Sequence, residues 1–504
     1  MENSTAHRVI KNTGYLYAKM GITMFVSLYT TRLILNGLGA ADFGIFNIVG
    51  GAIAMLGFLN AAMASATQRF MSYAEGEGNK EKQKYIFNIS IVLHAAIAAI
   101  VGIALVGAGY FFFNGVLNIP ADRTFAAQVV YGSLIISTMF TVMSVPYDAA
   151  LNAHENMRYY ALVGILESFL KLAVAFACVY TASDKLIVYG ILMACIPLFT
   201  LSIMRVYCHK HYEECTLAPR RYYDKTLMKE MTGFAGWTFT TTATSMATQY
   251  GFGIVINHFF GVLLNAAQGI AGQLSGMLMA FSANAQKAFN PILIKSEGGG
   301  HRESLIYGTI VGCKVSFFIF GLFSLPFILM MPEILKIWLE NVPEWAVLFC
   351  RLQLLRTLLE QITLNLTTAL NAEGNIKSYS ITRSVLYILP LILTIIAFSL
   401  GARPYWMYII WIFFWCILGG FCALYFCKKN AGIQYPSYIK GVLLPAAIIS
   451  ITSILPYLIC SLFTNNITIK IFCTGLQIVL YLITSYKFLA TKDERKVLLK
   501  IIQK

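Results

Sequence analysis

The chain has 504 residues, 58% of them hydrophobic and 12% charged, about half the charge a soluble domain carries. With a mean hydropathy of +0.67, this excludes a water-soluble globular class and points to an all-α polytopic membrane protein. The formal charge of +15 raises a nucleic-acid partner, which the placement of the charges removes below.

Residues Met1 to Val9 are polar and lead into an apolar stretch with no small-residue cleavage site, so no signal peptide is expected and the first span is retained. Apolar windows then predict about fourteen transmembrane helices, near 12–35, 43–71, 85–113, 125–151, 157–180, 185–207, 230–257, 263–294, 303–331, 345–370, 377–400, 404–427, 438–462 and 467–490. Asn36 to Gly44 forms the turn between the first two. Connections are short, the longest running from Cys208 to Lys229, and no soluble domain fits between spans. After the last span, Lys492 to Lys504 alternates charged with apolar residues and reads as an interfacial amphipathic tail. Cysteines such as Cys178, Cys313 and Cys416 sit inside apolar runs, which argues against a disulfide framework. Neither a metal nor a cofactor is expected: the Cys208-His209-Lys210-His211 and Cys215 spacing fits no zinc pattern, and Gly298-Gly299-Gly300 is a turn without a P-loop lysine.

Lys and Arg cluster in alternate connections. One side takes Lys80, Lys82 and Lys84, the Arg220-Arg221 loop, Lys428, Lys429 and Lys440; the other keeps Arg123, Lys185, Lys336, Arg403 and Lys470. This bias puts both termini in the cytoplasm. It also assigns most of the positive charge to topology, so no nucleic-acid partner is expected.

The chain repeats itself. Ala150-Leu151-Asn152-Ala153-His154-Glu155-Asn156 recurs 219 residues later as Ala369-Leu370-Asn371-Ala372-Glu373-Gly374-Asn375, and Thr13-Gly14 recurs at Thr232-Gly233. Glu75-Gly76 answers Glu297-Gly298 with three residues of slippage. Six spans per repeat predict two pseudosymmetric six-helix lobes in parallel orientation, with a substrate site between them. The expected divisions are 1–207, a cytoplasmic linker at 208–229, 230–429, and a 430–504 addition carrying two extra helices and a basic tail.

Charge inside the spans is the functional signal. A cation at mid-bilayer costs about 3 kcal/mol on insertion scales and normally faces water or a partner. Arg32, Arg69, Arg205, Arg351 and Arg383 lie near span ends, where long side chains snorkel; Lys19, Lys171, Lys314 and Arg356 do not. Lys19, Arg32, Arg69, Lys287, Lys314 and Arg356 are the candidates for a cationic cavity. Ser133, Ser137, Thr141, Ser144 and Asp148 share one helix face, and the 219-residue shift carries the last four onto Arg356, Glu360, Thr363 and Thr367. Thr241, Thr244, Gln273 and Asn284 extend the polar lining, although small hydroxyls also serve plain helix packing. Glu167/Lys171 and Arg356/Glu360 are i,i+4 pairs, whose default role is structural. In the functional reading Glu360, Glu167 or Asp148 exchanges H+ or Na+ during transport.

Thr31-Arg32-Leu33, Leu38-Gly39, Asp42-Phe43-Gly44, Gln68-Arg69-Phe70 and Glu75-Gly76 resemble the opening of polysaccharide-repeat flippases. These belong to the multidrug/oligosaccharidyl-lipid/polysaccharide exporter superfamily. Val145-Pro146-Tyr147, Leu166-Glu167, Asn257-His258-Phe259-Phe260-Gly261, Asn290-Pro291 and Val342-Pro343-Glu344 are similar to its O-antigen and capsule branch. The resemblance covers the first twelve spans. It implies a transporter, not an enzyme, of the bacterial inner membrane that moves an undecaprenyl-pyrophosphate-linked oligosaccharide to the outer leaflet by alternating access. Membrane lipids and a polysaccharide polymerase are its implied partners. The alternative is a multidrug/cation antiporter of the same fold.

Overall fold

A computed structural model describes residues 2–54, 57–116, 119–339, 341–463 and 466–489; the expected amphipathic tail lies outside them. Every regular element among the described residues is a helix. The long ones are α1 (Glu2–Ala54), α2 (Gly57–Glu77), α3 (Lys80–Phe111), α4 (Thr124–Ala153), α5 (Met157–Tyr180), α6 (Lys185–His211), α7 (Lys225–Phe260), α8 (Val262–Gly298) and α9 (Arg302–Leu329). A short α10 (Met331–Trp338) precedes α11 (Ala346–Glu373) and α12 (Lys377–Ser399). The rod α13 (Trp406–Ala431), with π-helical turns, is followed by α14 (Leu444–Phe463) and α15 (Ile467–Leu489). Polar caps begin several of them: Asn79 Oδ1 accepts from Lys82 N at 2.9 Å, Asn156 Oδ1 from Tyr159 N at 3.2 Å, and Asp184 Oδ1 from Leu186 N at 3.0 Å.

Among the described residues nine helices are long and apolar enough to cross a membrane, or ten if the pair bent at Gly39 is one span. The chain is a multi-pass membrane protein. The expectation of about fourteen spans exceeds this count because α2, α7, α8 and α11 fall short of the same apolarity. These are the helices on which the sequence puts polar residues.

The described residues form two compact units, one of Asn12–Phe239 and one from Thr240 onward that also takes the residues before Asn12. The first turns of α7 belong to the first unit, where Phe234 packs edge-on to Phe70 with ring centroids 6.0 Å apart. Arg123 ties that unit together at one end, bridging Asp42, just past the α1 break, and Asp184, the cap of α6.

Each unit repeats the other's local geometry. Cys208 Sγ donates to the Tyr147 carbonyl and Cys427 Sγ, 219 residues on, to the Leu366 carbonyl. Gly39 and Gly261 break their rods at φ 80° and 82°. Met157 N bonds Glu155 O at 2.9 Å, as Ile376 N bonds Gly374 O at 3.0 Å. That turn needs a left-handed residue after the helix, and it is filled by Glu155 at φ 55° in one copy and Gly374 at φ 99° in the other. An L side chain in this region costs about 1–2 kcal/mol. Gly374→Ala should therefore lower the melting point of the purified protein, while Glu155→Gly should leave it unchanged or raise it.

Candidate functional site

In the first unit the cation is Lys19. It is half-buried on α1, and its Nζ lies 4.3 Å from the centroid of the Tyr160 ring on α5. Gly164, one turn further along α5, makes room for it: a Cβ there would collide with Lys19 Cε. The carboxylates of Asp148 and Glu167 act electrostatically on the same tyrosine, and Glu167 is itself paired with Lys171 at 2.7 Å, both side chains two-fifths exposed. Lys19 thus meets Tyr160 within the electrostatic reach of two carboxylates, Asp148 and Glu167. The other two first-unit candidates differ from it. Arg69 stacks on Phe70, Tyr73 and Phe234, with centroids 4.6, 4.7 and 5.7 Å away, so it braces α2 against α7. Arg32 is exposed on α1.

The second unit holds a deeper cluster. Arg356 is buried on α11; its Nη1 donates to Glu360 Oε2 at 2.9 Å, its Nη2 to Thr357 Oγ1 at 3.2 Å, and its guanidinium lies 4.3 Å from the Trp411 ring centroid. Beside it Arg383 on α12, also buried, stacks on Tyr387 at 4.7 Å and presses Nη1 against Gly419. Glu360 acts electrostatically on Arg383 as well, so one carboxylate serves two guanidiniums and the cluster is net positive. Arg383 was expected to snorkel from a span end. It turns inward instead, because its face of α12 packs on α13.

The 219-residue shift relates the two arrangements. Tyr160 maps to Tyr379 and Asp148 to Thr367, whose hydroxyl is 2.9 Å from that of Tyr379. Gly164 maps to Arg383. The cation that reaches in from α1 in one copy is therefore built into the equivalent of α5 in the other.

The remaining polar candidates lie on open helix faces. Gln273 is exposed, and Asn284, Lys287 and Lys314 are half-buried. The opposite face of α8 is the packed one: Ser275 bonds Thr357 at 2.8 Å, Ser282 donates to Gln361 at 2.5 Å, and Gln286 donates to Ser316 at 2.5 Å. Half-buried Thr241 and Thr244 continue the open stripe on α7, with Thr244 Oγ1 donating to the Thr240 carbonyl at 2.9 Å. Asn284 Nδ2 likewise donates to Ala280 O at 2.8 Å. Returning these donors to their own helix lets a polar stripe persist on an open face.

No protein-family model matches the chain. Its structure is similar to that of a MATE point mutant (TM-score 0.73, 11% identity, covering 85% of this chain and 96% of the other). It is similar also to an outward-facing multidrug resistance MATE family transporter of the MOP superfamily (TM-score 0.72, 11% identity, 85% and 96% covered). The chain has the MATE fold. A MOP superfamily transporter from Pyrococcus furiosus, described as having a binding pocket of reverse polarity that suggests a different function, aligns with TM-score 0.69 at 12% identity over 85% of this chain and 96% of its own. Among curated proteins, the uncharacterized membrane protein EpsK of Bacillus subtilis is 27% identical over 119 residues, 24% of this chain and 23% of the relative. The matched stretch thus spans about a quarter of that relative's length.

One group of titrating residues sits outside the apolar spans of this fold. His154, just past α4, bonds Glu214 through Nε2, approaches Glu75 Oε1 with Nδ1 at 3.4 Å, and stacks on Tyr212 at 4.1 Å. Glu75 also accepts from Gln83 at 2.6 Å and Lys80 at 3.1 Å. Burial opposes charge at His154, but the two carboxylates outweigh it and raise the imidazole above its ordinary value. Burial likewise pushes Glu75 and Glu214 up, yet their bonds with His154 and the neighbouring donors hold both below the usual carboxylate range. The raised His154 stabilises fully below its unfolded value, about pH 6.5, and that contribution is lost as pH rises through the folded value. The depressed carboxylates contribute above about pH 4.5 and fade on acidification. The melting point should therefore fall by a few degrees as pH rises through the raised His154 value, and His154→Gln should flatten that decline.

Proposed function

We propose that this chain carries an undecaprenyl-pyrophosphate-linked oligosaccharide repeat unit from the cytoplasmic to the outer leaflet of the bacterial inner membrane by alternating access. The observation that carries this reading is the sign of the charge within the helices: Lys19, Lys287, Lys314, Arg356 and Arg383 against Asp148, Glu167 and Glu360. Pyrophosphate is a dense anion, and ammonium and guanidinium groups in a low-dielectric cleft are its matching partners. The hydroxyl-bearing stripes of α4 and α7, and the amide-bearing open face of α8, suit sugars. The Pyrococcus furiosus transporter, described as having a binding pocket of reverse polarity that suggests a different function, supports a departure from the multidrug role within this fold. H+ or Na+ exchange at Glu360, Glu167 or Asp148 supplies the drive, and a polysaccharide polymerase takes the product.

A multidrug or cation antiporter is the second reading, favoured by the similarity to a multidrug resistance transporter. It calls for a carboxylate in the first span, where this chain has Lys19 and Arg32. Deletion in the native host followed by mass spectrometry of the lipid extract separates the two. Accumulated pyrophosphate-linked oligosaccharide supports the flippase; an unchanged lipid pool with raised drug sensitivity supports the antiporter.

A further inference from the structure

A pocket of about 400 Å³ opens at the end of α9, within the unit that begins at Thr240. Nothing in the transport reading uses it. Four polar groups line it from separate elements: Glu333 on α10, Arg351 on α11, Tyr457 on α14 and Lys470 on α15. Lys470 Nζ is 2.9 Å from Glu333 Oε1. Arg351 is held side-on by the last carbonyls of α9, donating Nε to Ile328 O at 2.9 Å and Nη2 to Leu329 O at 3.4 Å. Tyr457 donates its hydroxyl to Leu329 O at 3.1 Å. The lining thus has two cations against one carboxylate, a surplus of one positive charge inside a partly apolar cavity. Its remaining wall is apolar, and Leu458 there is 49% exposed on α14, a lipid-facing helix.

The pocket also sits at a defined level. α9 ends at Leu329, α11 begins at Ala346, α14 ends at Phe463 and α15 begins at Ile467. All four helices reach the same end of the unit here, and the ends of membrane-spanning helices are where the polar headgroup region begins.

We propose that this pocket binds the phosphoryl headgroup of an anionic phospholipid, with the phosphate between Arg351 and Lys470 and the acyl chains running along Leu458. A single phosphodiester charge balances the lining, and the apolar wall has a use only if the ligand carries chains. Free inorganic phosphate shares the charge chemistry but not the wall.

The test uses the full chain, purified and delipidated in detergent, with phosphatidylglycerol titrated and bound lipid counted by native mass spectrometry. One phosphatidylglycerol should be retained in preference to phosphatidylcholine. Lys470→Gln, which removes a cation, should weaken it about tenfold, whereas Glu333→Gln, which removes the opposing charge, should tighten it. A damaged fold would weaken both, so opposite shifts are required. Equal affinity for phosphatidylcholine, or both variants shifting the same way, would overturn the site. Competition by inorganic phosphate at the same concentration as the lipid would overturn the lipid assignment.

Discussion

Lys19→Met should reduce transport of lipid-linked oligosaccharide in proteoliposomes by about 100-fold, the loss of a charge-assisted contact worth about 3 kcal/mol. Insertion and the elution profile in detergent should not change, because Lys19 is half-buried over Tyr160 and, among the described residues, closes no ion pair that holds the helices together. Gly164→Ala should give a smaller defect by displacing the lysine tip from the tyrosine. The repeat supplies a stringent rescue. The second sequence repeat has Arg383 in the place of Gly164, and Lys19 maps to Thr238, so Lys19→Thr with Gly164→Arg rebuilds that pattern in the first repeat. Partial recovery of transport in the double variant, and none in Lys19→Thr alone, is the expected result. Normal export by Lys19→Met would remove the cationic site from the mechanism.

The second large effect is on stability. Arg356→Leu should cost about 3–5 kcal/mol, because it leaves Glu360 beside buried aromatics with its 2.9 Å partner gone. Arg356→Leu with Glu360→Leu should recover part of that loss and not all of it, since the apolar pair removes the carboxylate left without its 2.9 Å partner but also takes from buried Arg383 the charge it shares. A thermal double-mutant cycle in detergent reads the coupling directly. If the double variant remains as unstable as the single, the packing against Trp411 and Trp415, and not the ion pair, holds α11 in place. Glu360→Gln, which keeps Arg356, tests the carboxylate alone: a folded protein whose transport no longer responds to the H+ or Na+ gradient supports Glu360 as the exchanging group.

Much of this architecture was legible because hydropathy and the repeat are both linear in sequence. The Ala150–Asn156 and Ala369–Asn375 copies announce the same helix-ending turn, and the structure gives both the same hydrogen bonds. The Asn36–Gly44 turn is likewise found as the break at Gly39. What linear distance does not give is direction. Arg383 is close to a span end, but its rotation about α12 buries it; the sign available in the sequence was Tyr387 at i+4, the ring it now stacks on. Lys19 had no such local sign, since Tyr160 and Gly164 come from another helix. On α8 both faces are small and polar, so only packing separates the buried Ser275–Ser282–Gln286 face from the open one bearing Gln273 and Asn284. The α10 helix escaped because eight residues between two spans read as a connection.

The insufficient apolarity of α2, α7, α8 and α11 bears on how the protein is made. A segment with buried Arg356 or a run of threonines partitions poorly into lipid when it leaves the translocation machinery alone, each central charge adding about 2.5–3.5 kcal/mol. α7 and α8 are consecutive, and in the unit from Thr240 onward no helix that passes the apolar test emerges before them. Their insertion has to wait for α9, which passes the apolar test and bonds α8 through Gln286 and Ser316. With single cysteines introduced into α7 and α8, which have none of their own, a ribosome stalled after α8 should leave both open to a water-soluble thiol reagent, and one stalled after α9 should not.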